Sequence, residues 1–338
     1  MASSREAQLS FFPEHERWRR VGPATVDDAT RQLAERLPGG VYLGTSSWSF
    51  PGWSGIVYDR EATTNLLARH GLAAYAQHPL LRAVGIDRSY YAPLAEEAYR
   101  AYAEVVPEGF RFLAKGQDVC TLERFPSHPR FGARAGEPNP HYLDPAYASD
   151  QVVAPFAAGL GRRAGVLVFQ FTPQRTSEAE PIGALAVRLH RFLEALPKGV
   201  LYAVEIRHEP WLSDAYAEAL DAAGAAPCLT VHPSMPGLAE QAARFPRAPA
   251  LVARWNLGGR RRYEQAKERY APFDRIVDPD VSSRGALAGL VASATASGRP
   301  SFITINNKAE GSAPLSVRQL AAAIGEAATP PAAGEEAP

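Results

Sequence analysis

The chain is poor in cysteine. Only Cys120 and Cys228 occur in 338 residues, far apart and forming no CxxC. A disulfide framework is therefore excluded, and a reduced, cytosolic protein is the simplest reading. Long apolar runs are also missing. No stretch approaches membrane-spanning length, and Met1–Arg20 lacks the hydrophobic region of a signal peptide. Neither sign of charge is in excess, with 36 basic against 36 acidic side chains. That balance argues against a general nucleic-acid binder, although a local basic groove remains open. Lysine is scarce: Lys115, Lys198, Lys267 and Lys308 are the only four, and the arginine bias reads first as genome composition. No glycine-rich dinucleotide fingerprint follows the first strand, since Gly159–Gly165 precedes a strand and reads as a turn. HExxH and HxH are absent too. His208–Trp211 shares only two letters with the former, and Pro210 opposes the helix it needs.

What is present is a hydrophobic content of 46%, enough for a sizeable core, distributed in alternating short β-rich and amphipathic segments. Eight strands are expected: Val41–Ser46, Arg82–Asp87, Phe110–Lys115, Gly165–Phe171, Val200–Arg207, Ala226–His232, Ala250–Asn256 and Ser301–Asn306. Between them lie helical patterns such as Asn65–Gln77, Leu94–Val105, Ala179–Ala195, Asp214–Ala223 and Ser283–Ser297. Eight βα units across 39–328 fit an α/β protein with a single (β/α)₈ TIM barrel better than an open sheet. Residues 1–38 read as an N-terminal extension, with Phe11, Phe12 and Trp18 available to dock on a barrel end or edge. Residues 329–338, rich in Pro, Ala and Glu, read as a disordered tail.

The stretch Leu201–Leu212, LYAVEIRHEPWL, begins as a buried strand and ends in charges. Glu205 and Arg207 share one face of it, and burying them is costly unless they are paired. Reading every strand by parity extends the pattern. One phase is apolar and faces helices. The other carries Ser46, Asp87, Lys115, Gln170, Glu205 with Arg207, Thr230 with His232, Arg254 with Asn256, and Thr304 with Asn306. These polar groups gather at the C-terminal ends, where barrel enzymes keep their active sites. A polar plug closing the barrel is the alternative. Arg207, Arg254 and Lys115 against Asp87 and Glu205 leave a cationic mouth suited to carboxylate or phosphate. Glu205 beside cations stays ionised, as base, nucleophile or counter-ion, and His232 is a candidate proton carrier. His208, in the helix-facing phase, reads as exposed or capping.

Aromatic residues follow several strands: Trp48, Phe50 and Trp53 after the first, Tyr90 and Tyr91 after the second, Trp211 after the fifth and Tyr263 after the seventh. They are candidates for a pocket wall. Asn306, Asn307 and Glu310 close the last strand, where amides can orient a polar ligand. Cys120 and Cys228 have no evident activating base and read as structural. Gly259–Tyr270 carries a basic run read as a solvated helix start.

Taken in order, GTSSWSFPGW, SYY, FLAKG, GVLVFQFTP, VEIRHEPW, the Arg254 strand with Tyr263, and INNKAEGSAP resemble the YecE-like family, domain of unknown function 72. The resemblance covers about residues 41 to 325 and implies a (β/α)₈ barrel without an established reaction. It carries over Trp48, Trp53, Lys115, Gln170, Glu205, Arg207, Trp211, Arg254, Tyr263, Asn306, Asn307 and Glu310. The chain departs from the family pattern at Gly85 and Asp87, at Leu122 after Thr121, and at Lys308 and Ser312 beside the Asn pair, where the family usually has histidines. These departures weaken a metal- or histidine-based mechanism.

The expectation is an enzyme of hydrolase or isomerase type acting on a small anionic or phosphate-bearing molecule. Glu205, Lys115 and His232 would be catalytic. Trp48, Trp53, Asp87, Gln170, Arg207, Trp211, Arg254, Tyr263, Asn306, Asn307 and Glu310 would bind substrate. No cofactor is assigned. A divalent metal in a phosphodiesterase- or endonuclease-like protein is one alternative, and a non-catalytic scaffold for nucleic acid or protein is another.

Overall fold

The computed structural model describes residues 21–172, 181–258 and 263–328. Among them, eight parallel strands close in sequence order into a barrel: β1 Val41–Thr45, β2 Ala83–Ile86, β3 Arg111–Lys115, β4 Ala164–Gln170, β5 Tyr202–Glu205, β6 Ala226–Val231, β7 Leu251–Trp255 and β8 Ser301–Ile305. All eight expected strands are present, each trimmed at one or both ends. Helices fall where the patterns place them, with two differences. The segment expected at Asn65–Gln77 breaks at Gly71 into Thr64–His70 and Leu72–Tyr75, and Ala179–Ala195 is described from Ile182. A side chain at Gly71 would press on the Leu67 carbonyl at 2.7 Å, so the chain bends at a residue without one.

The strand parity divides two cores. Inside the barrel, Leu113, Val166, Val168, Ala203, Cys228, Val252 and Phe302 pack together. Tyr42 stacks on Phe302 at 4.9 Å between ring centroids. The opposite phase, including Phe112, Phe169, Val204, Trp255 and Ile303, meets the helices. The interior therefore changes character along the barrel axis, from rings and aliphatics to Thr230, Gln170, Glu205 and Arg254. The chirality and closure of the barrel set which side chains converge at that end.

Gly44 is required by close approach. A Cβ there would lie 1.8 Å from the Ala83 carbonyl oxygen of β2, backbone that cannot turn aside. Gly44→Ala is expected to lower stability by about 3 kcal/mol or more, at the upper end of overpacking costs. Urea unfolding measures it, and a loss near zero would show that β1 and β2 separate without penalty.

Residues 21–37 join the barrel's outer layer. Val21 and Leu37 are in the main core, and helix Asp28–Arg36 is tied to the last helix by Arg318 on Asp27 at 3.0 Å. Phe11, Phe12 and Trp18, the tail 329–338 and the arginines of 259–262 lie outside the described residues. No helix among those described is long and apolar enough to cross a membrane.

Candidate functional site

Strand ends β2 to β8 surround a cavity of about 800 Å³ at the C-terminal face, lined by residues that include Asp87, Lys115, Gln170, Arg207, His232 and Arg254. Tyr263 and Asn306 also line it. Glu205 lies beneath, fully buried. Its Oε2 accepts from Arg254 Nη1 at 2.6 Å and its Oε1 from Arg207 Nε at 2.7 Å. Gln170 Oε1 accepts from both arginines, at 2.9 Å from Arg254 and 3.2 Å from Arg207. Asp87 bridges Lys115 Nζ at 3.2 Å and Arg254 Nη2 at 3.5 Å. The floor is thus a ring of charges in which each carboxylate serves two cations. Such pairing offsets the desolvation of burying them.

The electrostatics follow from that ring. Burial alone would raise the Glu205 carboxyl, but Arg254, Arg207 and Lys115 outweigh it and hold the group down to about 2. Burial lowers the Lys115 ammonium to about 8, helped by Arg254 and opposed by Asp87 and Glu205. Burial, then Arg207, lowers His232 to about 4. Its Nδ1 accepts from the Ser234 backbone N–H at 3.2 Å, which assigns the proton of the neutral ring to Nε2. Tyr90, its ring 5.1 Å from Lys115 Nζ, is pushed up to about 12 by burial and stays protonated.

Acid sensitivity follows. His232 and His78, both lowered from 6.5 to about 4, are protonated first in the unfolded chain. Glu205, lowered from 4.5, adds the same effect at lower pH. Stability is therefore expected to fall as pH drops from about 6.5 toward 4, and further below 4.5. A melting temperature flat from pH 7 to 4 would contradict these assignments.

Other residues expected in the site are placed elsewhere. Trp48 is buried and meets Tyr102 edge-on at 5.2 Å, and Trp211 meets Phe171 at 5.7 Å. Both belong to the outer core. Trp53 is fully buried and donates from Nε1 to Asn307 Oδ1 at 3.2 Å. Asn307 Oδ1 also accepts from the Ala313 N–H at 2.8 Å. Glu310, fully buried, accepts from the Asp280 N–H at 2.7 Å and pairs with Arg284. These three form a clamp around the turn after β8, and none of them lines the cavity. Gly311 completes it at φ 120°, where a Cβ would strike the Arg275 carbonyl at 2.6 Å. Glu205 has no exposed surface, and both its oxygens are engaged by the two arginines. His208 is buried edge-on against Trp211 at 5.3 Å, neither exposed nor making a side-chain cap.

Lys308, Leu257 and Gln265 line the mouth beyond the residues chosen from sequence, beside Asn256 and Tyr90. Asn256 and Tyr90 carried a signal, strand parity and position just after a strand. Lys308 was visible only as a departure from a family pattern. Both cysteines are buried, and burial pushes Cys120 up to about 12 and raises Cys228 too, which leaves neither as a nucleophile. Among the described residues, no group of three or more His, Cys, Asp or Glu side chains is placed to hold a metal ion.

A closed parallel barrel with charged side chains converging on its C-terminal mouth defines a TIM-barrel protein. The chain belongs to the family described as "Protein of unknown function DUF72", whose model matches residues 42–338. Its structure is similar to that of a DUF72 family protein from Enterococcus faecalis, 16% identical, with TM-score 0.52, covering 84% of this chain and 95% of that one. A DUF72 family protein from Thermotoga maritima is 18% identical with TM-score 0.51, covering 83% and 97%. At these identities the likeness shows the fold. None of the curated proteins matches the chain.

Proposed function

We propose that this barrel is an enzyme that binds a small anionic molecule at its C-terminal mouth through Arg207, Arg254 and Lys115. The observation that carries this reading is the unequal charge of the ring: three cations share two carboxylates, and His232 is neutral. A carboxylate or phosphate completes the ring, and two guanidinium groups offer it fixed, forked donors. Glu205 and Gln170 hold those guanidinium groups in register, so their orientation is set before the ligand arrives. Lys115 is the proton carrier, because burial lowers its ammonium to about 8 and it lines the cavity. Such a group serves hydrolase or isomerase chemistry.

Calorimetric titration with sulfate at pH 7 tests the reading. Arg207 is suited to substitution because its side chain is 18% exposed and Glu205 keeps Arg254 as a partner. Arg207→Met is expected to weaken sulfate binding by about tenfold or more, the worth of a charge-assisted hydrogen bond. Unchanged affinity in a variant that melts like the wild type would sink the proposal.

A further inference from the structure

A fourth cation lines the same cavity and pairs with neither carboxylate of the ring. Lys308 sits in the turn after β8 and is only 8% exposed. Its Nζ lies 4.2 Å from the centroid of the Tyr263 ring and 5.8 Å from that of Phe273. Among the described residues, no carboxylate pairs with it. We propose that the mouth takes a small molecule with two separated anionic groups, one held by Arg207, Arg254 and Lys115 and the other by Lys308. This inference rests on the anion-binding reading of the mouth and names the class of molecule that fits.

The charge distribution carries it. Asp87 and Glu205 neutralise all but one of the three cations in the ring, and Lys308 adds a second surplus charge at a different point of the wall. Two aromatic faces lie against the ammonium but supply no counter-ion. A second anionic group would supply one. The cavity, at about 800 Å³, has room for more than a lone oxyanion. Tyr90, Leu257 and Tyr263 give it ring and aliphatic surface suited to a short carbon skeleton between the two groups.

The backbone around Lys308 is held for the purpose. Its N–H donates to Asn306 Oδ1 at 3.0 Å. The next turn is anchored through Asn307 to Trp53 and Ala313, and through Glu310 to the Asp280 N–H. The buried clamp, which lines no part of the cavity, thereby acts on the site by fixing Lys308, which does.

The test is calorimetric titration of the full chain with alkanediol bisphosphates, from ethane to hexane, against the corresponding monophosphates. At one chain length the bisphosphate is expected to bind about tenfold tighter or more than its monophosphate. Lys308→Gln is expected to bring that bisphosphate down to the affinity of the monophosphate, and Lys308→Arg to restore the gap. A gap that survives Lys308→Gln in a variant melting like the wild type would overturn the inference. So would monophosphate binding with no bisphosphate advantage at any length, which would leave the anion reading standing. Binding of neither class would overturn both. A short oligothymidylate is titrated in parallel. If it outcompetes every bisphosphate and depends on Lys308, a polymer backbone replaces the small molecule and the inference fails.

Discussion

Lys115→Met is expected to make the free protein more stable at pH 7 and to weaken sulfate binding, two effects of opposite sign from one substitution. The cause is desolvation. Burial lowers the Lys115 ammonium from 10.5 to about 8, so in the folded protein its charged form is disfavoured relative to water. Below about pH 8 both folded and unfolded chains hold the proton, and the whole penalty is present. Between about 8 and 10.5 the folded state has released the proton while the unfolded chain still binds it, so stability rises with pH. Above 10.5 the contribution no longer changes. Replacing the ammonium by an apolar side chain of similar length removes the penalty at neutral pH, a gain on the order of 1–3 kcal/mol. The same charge is what an anion meets in the mouth. Sulfate binding by the wild type is expected to weaken as pH rises through about 8, a range in which sulfate itself does not titrate. In Lys115→Met that inflection should vanish, with affinity about tenfold lower at pH 7. Urea unfolding and calorimetry measure the two signs separately. A variant that loses stability at pH 7, or binds sulfate as well as the wild type, would remove Lys115 from the account.

Glu205→Ala is expected to destabilise the protein by about 3–5 kcal/mol, the cost of leaving buried cations without their partner. Arg254 loses its shortest contact, at 2.6 Å, and Arg207 loses its own at 2.7 Å. Glu205→Gln retains the shape and an acceptor but not the charge. It should fall between Ala and wild type in stability, and should bind sulfate more tightly per folded molecule, since three cations then face Asp87 alone. That gain separates a counter-ion from a base. A catalytic carboxylate with no structural duty would lose turnover on substitution while leaving unfolding unchanged. Denaturation midpoints for the two variants, with sulfate affinity at equal folded fraction, are the readout. A Glu205→Ala protein as stable as wild type would refute the counter-ion role.

These expectations depend on residues that the sequence placed well. Strand side chains alternate with period two, and a closed barrel gives one phase a single destination. That is why Asp87, Lys115, Gln170, Arg207, His232, Arg254 and Asn306 could be assigned to one mouth before any coordinate was known. The rule ends with the strand. Asn306 and Asn307 are adjacent and both amides, yet one lines the cavity and the other is buried under Trp53. The loops after β1 and β5 offered tryptophans near the mouth, but loop direction is set by tertiary packing, and both rings are buried in the outer core. Glu205 was found by parity, but parity does not separate a base from a counter-ion, since the two differ in what lies within 3 Å and not in where they stand in the chain. Lys308 was missed for the opposite reason. It follows the last strand, out of reach of the alternation, and its meaning comes from the aromatic faces and the missing carboxylate around it. Two motifs that carry the family likeness, VEIRHEPW and NNKAEG, therefore divide between site and scaffold. Glu205, Arg207, Asn306 and Lys308 belong to the mouth, whereas Trp211, Asn307 and Glu310 hold the loops that shape it.

The central claim is that Glu205 organises two arginines into an anion site completed by Lys115. It is tested most directly by a crystal structure of the full chain grown with phosphate. The account predicts phosphate oxygens within hydrogen-bond distance of Arg207 and of Arg254 or Lys115, at the C-terminal end of the barrel. A phosphate bound elsewhere on the chain, with that mouth holding only water, would contradict it.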